Sequence, residues 1–154
     1  MKTAEEIIQE KGTGMICVSP DTTIHDALKI MVDKGIGAML VQDESGIVGI
    51  WTERDLMKNT LQEGFDPKTA RIGDYMTRDL VSAKHDDSMY KLLDVFLGRR
   101  LRHLLIEKDG TYIGMLSSGD VIKANLVEKT KELEDMNELM SWEFYENWRW
   151  TNKK

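Results

Sequence analysis

The chain is written twice, and this duplication constrains its fold more than any other feature. Gly49-Ile50-Trp51-Thr52-Glu53-Arg54-Asp55 returns 65 residues later as Gly114-Met115-Leu116-Ser117-Ser118-Gly119-Asp120. The same offset pairs Asp21 with Asp86, Leu28 with Leu93, Leu40 with Leu105 and Lys58 with Lys123, without a gap. Identities are few, so the hydrophobic pattern carries the argument. Ile24, Ala27, Leu28, Met31 and Val32 fall at i, i+3, i+4, i+7 and i+8, and Met89, Leu92, Leu93, Phe96 and Leu97 repeat those spacings. Each set is one apolar face of a helix. A repeated supersecondary unit that cannot bury its face alone must stack on its copy.

Around each helix lie short strands. Residues 15–18 precede the first helix, and 37–41 follow it. A polar turn, Gln42-Asp43-Glu44-Ser45-Gly46, leads to a strand over 47–51 and a helix from Thr52 toward Leu61. The second copy reads as a strand over 80–83, a helix to about Leu97, a strand over 103–106, the turn Glu107-Lys108-Asp109-Gly110, a strand over 112–116 and a helix from Ser117. Thr23-x-x-Asp26 has the form of a capping box with Asp in place of Glu, and Asp87 or Ser88 caps the second helix. Gly35 stops the first helix, and Gly98 lies near the end of the second. The expected fold class is α/β (α+β): two β-α-β-β-α units packed with pseudo-two-fold symmetry, followed by a C-terminal helical tail. The expected boundaries are 9–67 and 76–128 for the units and 129–154 for the extension. Gln62–Arg71 between the units carries the turn-formers Gly64, Asp66 and Pro67.

Composition narrows the function. With 154 residues, 27 Asp+Glu against 21 Lys+Arg and a net charge of −6, the chain lacks the basic balance of a generic nucleic-acid binder. No apolar run approaches the roughly 20 residues that span a bilayer, and Met1–Glu6 lacks the apolar core of a signal peptide. A single cysteine, Cys17, makes neither an internal disulfide nor a cysteine-rich zinc site and reads as a small buried hydrophobe. His25, His85 and His103 form no pair at metal-ligand spacing, and no nucleophile has a partner in sequence. The expectation is a cytoplasmic protein that is not an enzyme, has no metal, and binds neither nucleic acid nor membrane.

The repeated chemistry is a strand ending in Gly-x-x-(Thr/Ser)-x-x-Asp that enters a helix. Thr52-x-x-Asp55 and Ser117-x-x-Asp120 both fit an N-cap with an acid in the first turn. Their recurrence at a strand-to-helix junction also suits an anion, because backbone N–H groups are free there.

These residues, in this order, resemble a known family. Ser19-Pro20-Asp21-Thr22-Thr23-Ile24, Gly35-Ile36-Gly37-Ala38-Met39-Leu40-Val41 and Gly46-Ile47-Val48-Gly49-Ile50-Trp51-Thr52-Glu53-Arg54-Asp55-Leu56 resemble one CBS domain. Arg100-Leu101-Arg102-His103-Leu104, followed by Gly114-Met115-Leu116-Ser117-Ser118-Gly119-Asp120-Val121, resembles its partner. Together they are similar to a small stand-alone tandem CBS protein, or Bateman module, over residues 9–128. The resemblance implies a regulatory module that senses AMP, ADP, ATP, NAD or S-adenosylmethionine between the repeats. By the same resemblance Asp55 and Asp120 each hold a ribose diol, and Thr52 and Ser117 donate to phosphate. The adenine lies near residues 36–38, where Gly37 and Ala38 permit close approach, or near 101–103. Arg102 and His103 contact phosphate. Two such pairs commonly associate, which implies a homodimer.

Some positions carry two readings. Arg99 and Arg100 read as cations at a helix C-terminus. Trp51 either narrows the first site or belongs to the core. His85 either contacts ligand or sits in an exposed loop. From Leu126 the chain has neither Gly nor Pro, so it continues as a long helix with Leu133, Met136, Met140, Phe144 and Trp148 in one stripe and with Trp142 and Trp150 nearby. That tail covers its own module, forms a dimer contact or meets an unknown protein partner. The alternative function is a structural adaptor with a vestigial nucleotide cleft, acting through this tail.

Overall fold

A computed structural model describes residues 1–134 of the chain. Its elements run α1 (Ala4–Lys11), β1 (Cys17–Val18), α2 (Ile24–Lys34), β2 (Ala38–Asp43), β3 (Gly46–Thr52), α3 (Glu53–Asn59), α4 (Ile72–Tyr75), β4 (Ser82–Lys84), α5 (Met89–Arg99), β5 (His103–Lys108), β6 (Thr111–Ser117) and α6 (Ser118–Glu134). There are two three-stranded sheets among the described residues, β1-β2-β3 and β4-β5-β6. In each the first strand pairs parallel with the second and the second antiparallel with the third. The duplication extends to irregularities. A register shift falls between Val41 and Gln42 in one sheet and between Ile106 and Glu107 in the other.

The expected helices form where the apolar faces lie. α2 is capped by Thr23, whose hydroxyl accepts from the Asp26 N–H at 3.1 Å, and it ends at Gly35 with φ 64°. α5 is capped by Ser88, and its left-handed terminal residue is Arg100 at φ 52°, rather than Gly98. The hairpin turns are shorter than the polar stretches suggested. β2 and β5 run on to Asp43 and Lys108, which leaves the pairs Glu44-Ser45 and Asp109-Gly110. Asp43 accepts the Ser45 N–H at 2.8 Å, and Asp109 and Gly110 both take positive φ, as the tightest hairpins require.

Two hydrophobic cores follow. One gathers Ile24, Ala27, Met31, Met39, Val41, Trp51 and Ile72; the other gathers Ala83, Met89, Leu92, Phe96, Leu104, Ile106, Leu116, Val121 and Ala124 with Ala4 and Ile7. Each core recruits a lid from outside its own repeat. α1 precedes the first repeat but seals the second: Ala4 N–H donates to the Asp87 carbonyl and Glu5 N–H to the His85 carbonyl, both at 2.9 Å. α4 precedes the second repeat but seals the first: Ile72 N–H donates to the Thr22 carbonyl at 2.8 Å and Gly73 N–H to the Pro20 carbonyl at 2.9 Å. The acceptors are the same positions of the repeat. The two lids also rest on equivalent glycines, since a Cβ on Gly49 would strike Met76 and one on Gly114 would strike Ile8.

Two ambiguities resolve in the fold. Trp51 is wholly buried in the first core, and its indole Nε1 donates to Asn59 Oδ1 at 2.9 Å. His85 faces α1, with Nδ1 3.1 Å from Glu5 Oε2. Cys17 lies half-buried in β1, and burial pushes its thiol up. Of the tail, α6 is continuous to Glu134 with Leu133 exposed; Met136, Met140, Trp142, Phe144, Trp148 and Trp150 lie outside the described residues.

Candidate functional site

The duplicated motif builds the same object at the end of β3 and of β6. In the first repeat Thr52 N–H and Oγ1 donate to Asp55 Oδ2 at 2.9 and 3.1 Å, while Asp55 N–H donates back to Thr52 Oγ1 at 3.3 Å. In the second, Ser117 N–H donates to Asp120 Oδ2 at 2.8 Å, and Asp120 N–H returns to Ser117 Oγ at 3.1 Å. Both are capping boxes with Asp at the third helical position. Each carboxylate is therefore fixed at the strand's end, half-buried and turned back toward the sheet.

The sheet register brings the other expected residues to these motifs. Ala38 pairs with Thr52 and His103 with Ser117. Glu53 N–H donates to the Gly37 carbonyl and Ser118 N–H to the Arg102 carbonyl, each at 3.0 Å. Thus Gly37, Ala38, Thr52 and Asp55 form one cluster, and Arg102, His103, Ser117 and Asp120 form its counterpart. The clusters are near enough to sense each other, since the Glu53 carboxylate of the first acts on His103 of the second. Burial, reinforced by the charges of Arg102 and Lys11, pushes His103 down, against the pull of Asp120 and Glu53. Its imidazole is neutral near pH 7.

Two participants were not legible from the motif. Glu53 lies over Gly37: a Cβ on that glycine would come within 3.0 Å of Glu53 Oε1. The second repeat has Ser118 there, so only the first cluster carries this extra acid. The other is Lys11, the last residue of α1. Its Nζ donates to Asp120 Oδ2 at 2.9 Å and to the Met115 carbonyl at 3.2 Å. Burial alone would raise the Asp120 carboxyl, but the Ser117 N–H and the Lys11 ammonium outweigh it and hold it below the usual carboxylate range. Asp55 makes no ion pair among the described residues. No sequence spacing announces Lys11, because α1 reaches this site only by crossing to the other repeat's core.

The described residues contain no group of three or more His, Cys, Asp or Glu side chains placed to hold a metal. None of their helices is long and apolar enough to cross a membrane. A β-α-β-β-α unit made twice, with a hydroxyl and a carboxylate locked at each strand-to-helix junction, defines a tandem repeat module. The CBS domain model matches residues 5–61 and 72–126, and the chain belongs to the CBS domain family as a tandem pair.

The chain is 29% identical over 144 residues to the mitochondrial CBS domain-containing protein CBSX3 of Arabidopsis thaliana, covering 88% of this chain and 70% of that protein. It superposes on a CBS-domain containing protein from Agrobacterium tumefaciens with a TM-score of 0.75 and 32% identity, covering 80% of this chain and 99% of the other. It superposes on CBSX2, solved in complex with AMP, with a TM-score of 0.68 and 26% identity, covering 84% of this chain and 99% of the other. The likeness to both solved proteins thus extends over nearly their whole length.

Proposed function

We propose that this chain is a regulatory CBS pair, without catalytic activity of its own, that binds AMP, ADP, ATP or NAD between its repeats. The observation that carries the reading is the twofold occurrence of one geometry: a carboxylate locked by its own strand-end N–H at 2.9 and 2.8 Å, beside a strand start whose carbonyl receives the first helical N–H. A fixed carboxylate with two acceptor oxygens suits a ribose 2′,3′-diol. Thr52 and Ser117 then face phosphate, as do Arg102 and His103, and Gly37 and Ala38 leave room for a base against backbone. The AMP complex of CBSX2 supports adenosine as the ligand class.

The molecule signals by changing partner affinity or shape, which a ligand does only through differential affinity for two states. The partner we assign is a second copy. Exposed apolar residues occur in repeat-related pairs: Val32 with Leu97, Met57 with Ile122, Leu61 with Leu126. A pseudo-symmetric apolar surface of this kind suits a self-complementary dimer contact.

Thermal denaturation of the full chain tests the ligand class. AMP, ADP, ATP or NAD at millimolar concentration raises the midpoint by mass action, and guanosine analogues do so less. No shift with any adenosine compound overturns the nucleotide reading and favours the adaptor.

A further inference from the structure

One charge of the second cluster, the Lys11 ammonium, comes from outside either repeat. α1 is seated on the second repeat by the buried Ala4 and Ile7 and by its two backbone bonds to Asp87 and His85. Gly12, at φ 67°, ends the helix immediately after Lys11, so the lysine leaves the lid at a fixed point. Its ammonium bridges Asp120 Oδ2 and the Met115 carbonyl. That oxygen already accepts the Ser117 N–H, so the lysine takes up acceptor capacity that a ribose diol would need. The lid of the first repeat, α4, ends at Tyr75 with no basic residue in its last turn. Asp55 makes no ion pair among the described residues.

Resting on the nucleotide reading, we propose that Lys11 makes the second-repeat site selective for phosphorylated over uncharged adenosine ligands. In the empty site its ammonium neutralises Asp120. A ribose diol that takes Asp120 displaces it, and the freed ammonium is then available to pair with an anionic group of the ligand. Lys11 already acts electrostatically on His103, as does Arg102, so a ligand phosphate placed among these three groups receives it. Adenosine carries no such group and leaves the ammonium to water, so it loses the ion pair without gaining another. The first-repeat site has no lysine to displace and carries the additional acid Glu53, so it lacks this discrimination. An ion pair that is broken without replacement costs more than one that is exchanged.

Calorimetric titration of the full chain with AMP and with adenosine tests this, using wild type, Lys11→Met and Lys11→Arg, each also carrying Asp55→Asn to silence the first site. Lys11→Met should weaken AMP about tenfold while leaving adenosine unchanged or tighter, so the AMP-to-adenosine preference falls at least about tenfold. Lys11→Arg should keep most of the preference. If Lys11→Met changes both affinities by the same factor, Lys11 is a structural tie or a simple plug, and the proposal is overturned. If Asp55→Asn alone binds neither compound while the unsubstituted chain does, the second-repeat site takes no nucleotide and the proposal is overturned; if the unsubstituted chain binds neither, the nucleotide reading itself fails and the proposal falls with it.

Discussion

Trp51 and Asn59 form a buried pair that the second repeat replaces as a unit. The indole donates to the amide oxygen at 2.9 Å, and 65 residues on both positions are apolar, Leu116 and Ala124, and again buried. The large polar-tipped side chain is thus accommodated by a matching change one helix away. Removing either partner alone leaves an unsatisfied group. Trp51→Leu should cost about 2–4 kcal/mol, from a cavity plus an orphaned amide, and Asn59→Ala about 1–3 kcal/mol. The double variant should be at least about 1 kcal/mol less destabilised than the sum, because it reproduces the second repeat's solution. Urea denaturation of all four proteins measures the coupling; strict additivity would show that the pair is incidental.

Asp120 serves as helix cap and, in our reading, as ribose acceptor. Asp120→Asn should lower AMP affinity about 10- to 100-fold, since a charge-assisted bond becomes a neutral one. It should also lower the melting midpoint through the weakened cap. A lower midpoint with unchanged affinity would reduce the carboxylate to its capping role.

His103 sets a pH response. Its folded-state pKa lies below the ordinary value of 6.5, with burial the largest cause. The unfolded chain therefore binds the proton more tightly, and stability falls as pH drops below about 6.5 until the folded value is passed. Asp120, also depressed, adds a second loss at lower pH. His103→Gln should remove the first loss and keep the second, which denaturant midpoints from pH 7 to 4 resolve. A phosphate beside His103 would favour the imidazolium, so AMP binding near pH 6 should take up protons, visible as a buffer-dependent heat.

Arg100 ends α5 at φ 52°, where the equivalent residue of the first repeat is Gly35. A non-glycine side chain in this region costs roughly 1 kcal/mol. Arg100→Gly should therefore stabilise the protein by up to about 1 kcal/mol. A destabilised variant would assign the arginine a contact worth more than its strain.

The proposed dimer surface can be tested at its two ends. Val32→Glu with Leu97→Glu, both on residues 78% exposed in one chain, should leave the fold intact and shift light scattering from two chains to one. A variant that stays dimeric places the contact elsewhere.

The repeat made most of the fold readable in the sequence. Helix faces such as Ile24–Val32 and Met89–Leu97 print their period directly, and Thr52-x-x-Asp55 and Ser117-x-x-Asp120 announce their caps. α1 and α4 were not read, because a short lid has too few residues for periodicity and makes its contacts about 30 to 110 residues away. Lys11 was missed for the same reason. Its partner Asp120 is remote in sequence, and no local spacing encodes that distance. Trp51 was ambiguous because burial depends on Asn59 accepting its N–H, a pairing that spacing alone does not reveal.

The crossed lids also fix a timetable for synthesis. The first repeat has its complete core once Met76 is made, but α1 must wait for the strand bearing Gly114, on which Ile8 rests. At roughly 5–20 residues per second, about a hundred residues of waiting last some 5–20 seconds. Throughout that interval Ile7, buried in the finished molecule, lacks its complete native cover. The first of the described elements to be made is thus among the last to be seated, and Lys11 reaches Asp120 only when nearly the whole described chain has been made.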